Sequence, residues 1–272
     1  MIADIVSLPF MQHALLAALL AALCCGVMGT LVVANRMVFL AGGAAHAAYG
    51  GVGLAYFLVL PVLPVTVAFT VAAALCMAAL TRRRVEDTDT VIGVLWAAGM
   101  AFGIILLDVT PGYKPDLMSY LFGSIITVPV ADLYALAALA IVLCAVTLRH
   151  YNGFVAMAFD REFAAVRGAP VGMLHYLLTA LAAVTVVLPI RVAGLILVIA
   201  LLSVAPSLAL RRTASMGRAM FLATALNVFF CLAGLALAYG CDLTSGAAII
   251  AVAAATYFLS LLPGLRGSGH GA

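Results

Sequence analysis

Charge is scarce in this chain. Asp, Glu, Lys and Arg make up 8% of its 272 residues, against about 25% in a soluble domain. Glutamate occurs twice, at Glu86 and Glu162. There is no phosphate-cradling loop with a Walker lysine, no Gly-x-Ser-x-Gly and no His-Glu-x-x-His, so neither an enzyme nor a self-powered ATP-driven pump is expected. Any energy for active work has to come from a partner chain. The six cysteines, at 24, 25, 76, 144, 231 and 241, form no Cys-x-x-Cys and no metal-finger spacing, so no disulfide and no cysteine metal site is expected. Five of them lie in apolar runs, where a thiol behaves as a small hydrophobe. Met1 to Gln12 holds Asp4 and no Lys or Arg, so the basic start of a secretory signal is missing and an uncleaved helix is expected. Ala21 to Cys24 is only faintly like a lipoprotein cleavage site. The net charge of +3 is too small to suggest nucleic acid. No short repeat and no low-complexity linker occurs.

What remains is oil. The chain is 67% hydrophobic with a mean hydropathy of +1.27, which implies a single-domain, all-α, polytopic membrane protein. Apolar segments near the roughly 20 residues that cross a bilayer run over 13–35, 91–107, 131–148, 172–188, 192–210, 219–239 and 245–262. The charge-free run Met37–Thr81 is too long for one crossing, and Pro61 and Pro64 divide it into two. Nine segments result, or eight if a short one is re-entrant. Pro189 and Arg191 are read as the break between the sixth and seventh. Asp108 to Pro129 is a polar connection holding the apolar piece Asp116–Gly123. Residues 266–272 form a tail expected to be disordered, with no role for His270.

The basic residues are one-sided. Arg36, Arg82–Arg84, Arg149, Arg161, Arg167, Arg211, Arg212, Arg218 and Arg266 fall on the same side once crossings are counted. The positive-inside rule places that side, and the C-terminus, in the cytoplasm and the N-terminus outside. Arg191 is the one misfit, read as snorkelling or lying against a helix end.

Two stretches carry the functional expectation. Between Phe39 and Gly53 one imidazole, His46, stands among Gly42, Gly43, Gly50, Gly51 and Gly53 with Ala at 44, 45, 47 and 48. An ionisable group inside a span is rare and usually faces a cavity or a partner, and small neighbours admit a close backbone or a small solute. Neutral imidazole suits zinc, manganese or iron. His46 is thus either a transient metal ligand in a translocation path or a histidine hydrogen-bonded to a helix carbonyl or hydroxyl. The second stretch is the charged loop at about 149–172. Phe159 to Gly172 reads as a short amphipathic helix with Asp160 at its start, an apolar face of Phe163, Ala164 and Val166, and Gly168 with Pro170 as its stop. It is either a surface on which a nucleotide-hydrolysing partner pushes or an ordinary connector. The other polar residues in spans, Thr66, His175, Thr185, Ser203 and Asn227, are expected to make interhelical or back-bonded hydrogen bonds. His13 and His150 sit at segment ends, and the methionines, Met28 and Met100 among them, read as packing.

Six pieces in order, Asn35–Gly51, Asp87–Ala97, Asp116–Ile125 with Asp132 and Leu133 after it, Phe159–Val171, Arg191–Arg212 and Asp242–Ile249, resemble the integral-membrane permeases of bacterial ATP-binding-cassette importers for zinc, manganese or iron. The resemblance covers about Phe10 to Leu262. It implies 8–9 transmembrane helices with a short cytoplasmic coupling helix, in a multi-pass protein of the bacterial inner membrane held in membrane lipid. It implies alternating access for a divalent metal ion that is cargo rather than a stably bound cofactor. The implied partners are a second permease copy, a cytoplasmic ATP-binding-cassette ATPase docked around Asp160, Arg161, Glu162, Ala165 and Gly168, and an extracytoplasmic solute-binding protein. In that family an Asp usually stands four residues before the histidine; here the position is Gly42, and His46 alone is carried over. The rival expectations are a permease for chelated iron or cobalamin, with His46 incidental, and a non-transporting membrane scaffold.

Overall fold

Lipid offers the backbone no hydrogen bonds, so a crossing segment must satisfy its own N–H and C=O groups. The protein, seen here as a computed structural model, does this with helices alone among its described residues, 9–83, 87–111 and 128–262, with side chains described except at 9–11 and 83. The apolar piece Asp116–Gly123 and the 266–272 tail lie outside them. In order the helices are α1 (Pro9–Ala34), α2 (Val38–Phe57), α3 (Val62–Arg83), α4 (Thr88–Val109), α5 (Val130–Phe159), α6 (Arg161–Val166), α7 (Val171–Ala193), α8 (Leu195–Arg212), α9 (Met216–Cys241) and α10 (Ser245–Leu261). Eight of them, all but α6 and α10, are long and apolar enough to cross a membrane. The fold is that of a polytopic all-α membrane protein. With 17 residues, α10 is the short ninth segment; at 1.5 Å per residue it reaches about 26 Å. It packs on α8 and α9.

Helix α1 is the hub, in contact with α2, α5, α7, α8 and α9. Helix α2 lies against α3 and α4 and also touches α7 and α8. Between helices in lipid there is little hydrophobic drive, so small residues that let backbones meet supply the cohesion. Gly26 of α1 abuts the backbone of Thr224 in α9, and Gly29 abuts Leu202 and Pro206 in α8. Most hydroxyls bond back to their own helix, as Thr185 Oγ1 donates to the Leu181 carbonyl at 2.7 Å and Ser203 Oγ to that of Ile199 at 2.7 Å. Asn227 does join helices: its Nδ2 donates to the carbonyls of Ala22 at 3.4 Å and Leu201 at 3.1 Å. Thr66 Oγ1 and His175 Nδ1 are buried without a hydrogen-bond partner, contrary to the bonding expected of them.

Two boundaries differ from the expectation. The fifth helix does not stop at Leu148. It runs on to Phe159, with a kink at His150 (φ −113°, ψ 16°), so much of 149–172 is helix and the connection proper spans only Asp160 to Pro170. A helix needs apolar residues to stay in lipid but not to continue beyond it, because its backbone bonds are internal. The break between α7 and α8 is at Gly194, not at Pro189 and Arg191, which lie inside α7. Gly194 has φ 81° and ψ 157°, a conformation open essentially to glycine alone. Arg191 is ion-paired with Asp132 of α5 at 3.1 Å. That pair lies at the end of the bundle opposite to Arg36, Arg82, Arg161 and Arg211.

Candidate metal-path and docking sites

Helices α2 and α4 approach until their backbones touch. A Cβ on Gly50 would stand 2.8 Å from the Gly99 carbonyl oxygen, and one on Gly53 would stand 2.7 Å from the Gly103 Cα. On the other side, Gly51 packs on the backbone of Thr66 in α3. Of the five glycines expected to admit a close backbone, Gly50, Gly51 and Gly53 do so, whereas Gly43 meets the side chains of Ile92 and Met77 and Gly42 meets nothing; the three fix the level of His46 relative to α4.

That level sets His46 beside Trp96. The two rings stack with centroids 4.3 Å apart and planes 21° from parallel. Trp96 Nε1 donates to Met100 Sδ at 3.3 Å, one turn along its own helix. The indole is thereby held flat against the imidazole, with its polar edge spent elsewhere. His46 is half-buried, and its Nδ1 is buried with no hydrogen-bond partner. The helix-bonded alternative for this histidine is thus not met at Nδ1. One turn before it, a Cβ on Gly42 would meet nothing within 4 Å, and the same holds at Gly93, one turn before Trp96. An imidazole with a free nitrogen and open space on its own helix face can lend a lone pair to a cation that keeps some of its waters. Among the described residues no three His, Cys, Asp or Glu side chains gather as a ready metal cage, so one chain offers this one nitrogen rather than a closed site. Trp96, the sole tryptophan of the sequence, was not singled out from the sequence. Its presence in the stretch Asp87–Ala97 is the only signal that could have found it.

The five residues expected to dock a partner lie together at the arginine-rich end, and all are exposed. Asp160 caps α6, its carboxylate accepting from the Phe163 N–H at 2.9 Å. Glu162 lies in the first turn, where a negative charge suits the helix dipole. Gly168 has φ 84°, and the N–H groups of Gly168 and Ala169 close the helix on the carbonyls of Ala165 and Ala164, each at 3.0 Å, as a left-handed glycine stop requires. The Arg161 guanidinium reaches the Asn35 carbonyl at 3.5 Å, and desolvation there pushes its pKa below the ordinary arginine range. Of the apolar face only Ala164 is buried; Phe163 and Val166 are 56% and 88% exposed, and Phe159 before them is 81% exposed. Arg167 stands over the Phe163 ring at 5.1 Å. An oily knob ringed by charge, on a helix fixed at both ends, is therefore left largely uncovered by the described residues.

Comparisons with known proteins converge on one description. The sequence model of the ABC 3 transport family matches residues 7–264. An uncharacterized membrane protein of Synechocystis sp. is 45% identical over 252 residues, covering 93% of this chain and 90% of that protein. The manganese transport system membrane protein MntC of Halalkalibacterium halodurans is 29% identical over 257 residues, covering 94% and 88%. Among solved structures, PsaBC from Streptococcus pneumoniae, in complex with a Fab, superposes with a TM-score of 0.86 at 26% identity, covering 98% of both chains.

Proposed function

This chain belongs to the ABC 3 transport family, and from that premise we propose that it is the membrane permease through which a divalent transition-metal ion is imported by alternating access. The cargo touches His46 in passing, and the ion crosses beside the α2–α4 face. The observation that carries this reading is the buried, unpartnered Nδ1 of His46, whose ring stacks on Trp96 one helical turn after the open position at Gly42. Manganese is the first cargo to test, because the related H. halodurans protein is named for manganese transport. The neutral donor set equally suits zinc and iron.

The arginine-rich end faces the cytoplasm in this reading, in accord with the positive-inside rule. A separate ATPase subunit docks on α6 through Asp160, Arg161, Glu162, Ala165 and Gly168, with Phe163 and Val166 as its apolar contact. A solute-binding protein delivers the ion at the opposite end, and a second permease copy completes the path. The kinked helix α5 and the Asp160 cap give a push on α6 a rigid route into the membrane.

The test is uptake into proteoliposomes holding the permease with its ATPase. His46→Ala is expected to lower manganese uptake by about tenfold or more, as loss of a ligand does, while its thermal midpoint in detergent stays within a few degrees of the parent. Unchanged uptake of free manganese, zinc and iron in that variant defeats the assignment.

A further inference from the structure

One cavity lies apart from His46 and shares only Asp160 and Arg161 with the docking surface. It measures about 680 Å³ and opens at the arginine-rich end, between the α1–α2 turn, the end of α3, the start of α4, the end of α5 and the start of α7. Three arginines line it, Arg36, Arg82 and Arg161, against two acidic residues, Asp89 and Asp160. None of the three arginines is ion-paired with a described carboxylate, and the Asp160 carboxylate is already engaged by the Phe163 N–H. Arg82 rests on the backbone of Gly172, three residues before His175, and Arg161 reaches Asn35. Among the described residues, Arg82 and Arg161 are thus positioned by contacts other than a carboxylate. A vestibule for a metal cation would not carry three positive charges without a paired carboxylate among the described residues, since like charges repel in a medium of reduced dielectric.

Two buried polar atoms on the same wall lack partners. Asn35 is 6% exposed; its Nδ2 donates to the Leu31 carbonyl at 2.9 Å, while its Oδ1 has no donor. The second is His175 Nδ1. The rest of the lining is apolar, with Phe39, Ile92 and Met157 prominent, and Phe39 is 44% exposed at the bundle surface. The site thus joins anion donors and an acceptor in want of a hydroxyl with an oily wall, at the level where the crossing helices end. That level is where a bilayer presents its headgroups.

We infer that this cavity binds a phosphate group bearing a hydroxyl, as in the headgroup of an anionic glycerophospholipid or in free dihydrogen phosphate. Arg36, Arg82 and Arg161 neutralise the phosphate, the His175 ring donates to it, and Asn35 Oδ1 accepts from the hydroxyl. An occupant there bridges the α1–α2 turn to the start of α6.

Native mass spectrometry of the full chain, released from nanodiscs of phosphatidylglycerol and phosphatidylcholine in equal parts, tests this. The expected result is retained phosphatidylglycerol in clear preference to phosphatidylcholine. Retention should fall roughly fivefold for each arginine removed in Arg36→Gln and Arg161→Gln. Arg211→Gln with Arg212→Gln, at the same end but outside the cavity, should leave it unchanged. If phosphatidylglycerol is not retained but millimolar inorganic phosphate raises the melting temperature of the parent and not of the cavity variants, the source is free phosphate and the site stands. Should a cavity variant fail to fold, the lipid preference of the parent chain decides by itself. Equal retention of both lipids without a phosphate effect, or equal loss in the Arg211 and Arg212 control, overturns the inference.

Discussion

Helices α2 and α6 present the same chain chemistry in opposite surroundings. Helix α2 has twenty residues, no carboxylate or basic side chain other than His46, and backbones pressed against it on two sides. Helix α6 has six residues, begins with Arg161 and Glu162, and buries only Ala164. In α2 a polar atom is costly, so the one present stands out and its place is dictated by neighbours that cannot move. In α6 charge costs little, because water solvates it, and the residues that matter are those that start and stop the helix. A site inside the membrane is thus recognised by what is rare, and a site at its surface by how the backbone is held.

The largest effect expected from this contrast falls on α2. Gly50→Val puts its Cβ 2.7 Å from the Phe69 ring and 2.8 Å from the Gly99 carbonyl oxygen. Neither α3 nor α4 can withdraw without losing its own packing, so the variant should lose about 3 kcal/mol of stability, at the upper end for overpacked interiors. Gly42→Ala, eight residues earlier on the same helix, meets nothing within 4 Å and should be neutral or gain up to about 1 kcal/mol from helix propensity. Thermal unfolding in detergent checks both. If the two variants melt alike, the contact between α2 and α4 is not what fixes His46.

The same contrast explains what was legible in the sequence. The eight crossing helices and the apolar short α10 followed from charge-free length, with Pro61 and Pro64 needed to part α2 from α3, because lipid penalises every lapse in the pattern. The position of His46 in the chain was plain for that reason. Its surroundings were not: the stacked Trp96 and the empty space at Gly42 depend on the rotation and register of α2 against α4, which no single-chain pattern encodes. The ends of α5 and α7 were misplaced by one error of reasoning. Arg149 and Pro189 were taken as stops, yet a charge ends a membrane segment and not a helix. A proline in α7 withholds a single backbone donor, a loss that a closely packed helix tolerates. The true stop, Gly194, is marked by a backbone conformation. The ion pair of Asp132 with Arg191 joins residues 59 positions apart and was visible only as a misfit in the charge count.

At α6 the expected effects are functional before they are energetic. Arg161→Glu combined with Glu162→Arg should leave the melting temperature nearly unchanged, since exposed charges contribute about 0–1 kcal/mol. On the proposed reading it presents the wrong signs to the ATPase, and the number of ions imported per ATP hydrolysed should fall by about tenfold. The check is parallel measurement of uptake and phosphate release in proteoliposomes. If the ratio is unchanged, α6 is not where the partner pushes.

The smallest effect separates the cap from the charge. Asp160→Ala removes the acceptor of the Phe163 N–H and should cost α6 about 1 kcal/mol, as loss of an N-cap does. Asp160→Asn keeps an oxygen acceptor and should restore most of that while still removing the negative charge. Because α6 has six residues and buries one of them, the loss will not reach the bundle, and global melting is the wrong observable. Hydrogen exchange at the amides of Phe163 and Ala164 is the right one, with exchange roughly fivefold faster in Asp160→Ala than in Asp160→Asn for that energy. If coupling to the ATPase follows this exchange rate across the two variants, the partner needs an ordered helix end. If coupling is lost equally in both, the partner needs the carboxylate, and α6 behaves as a charged surface instead of a lever.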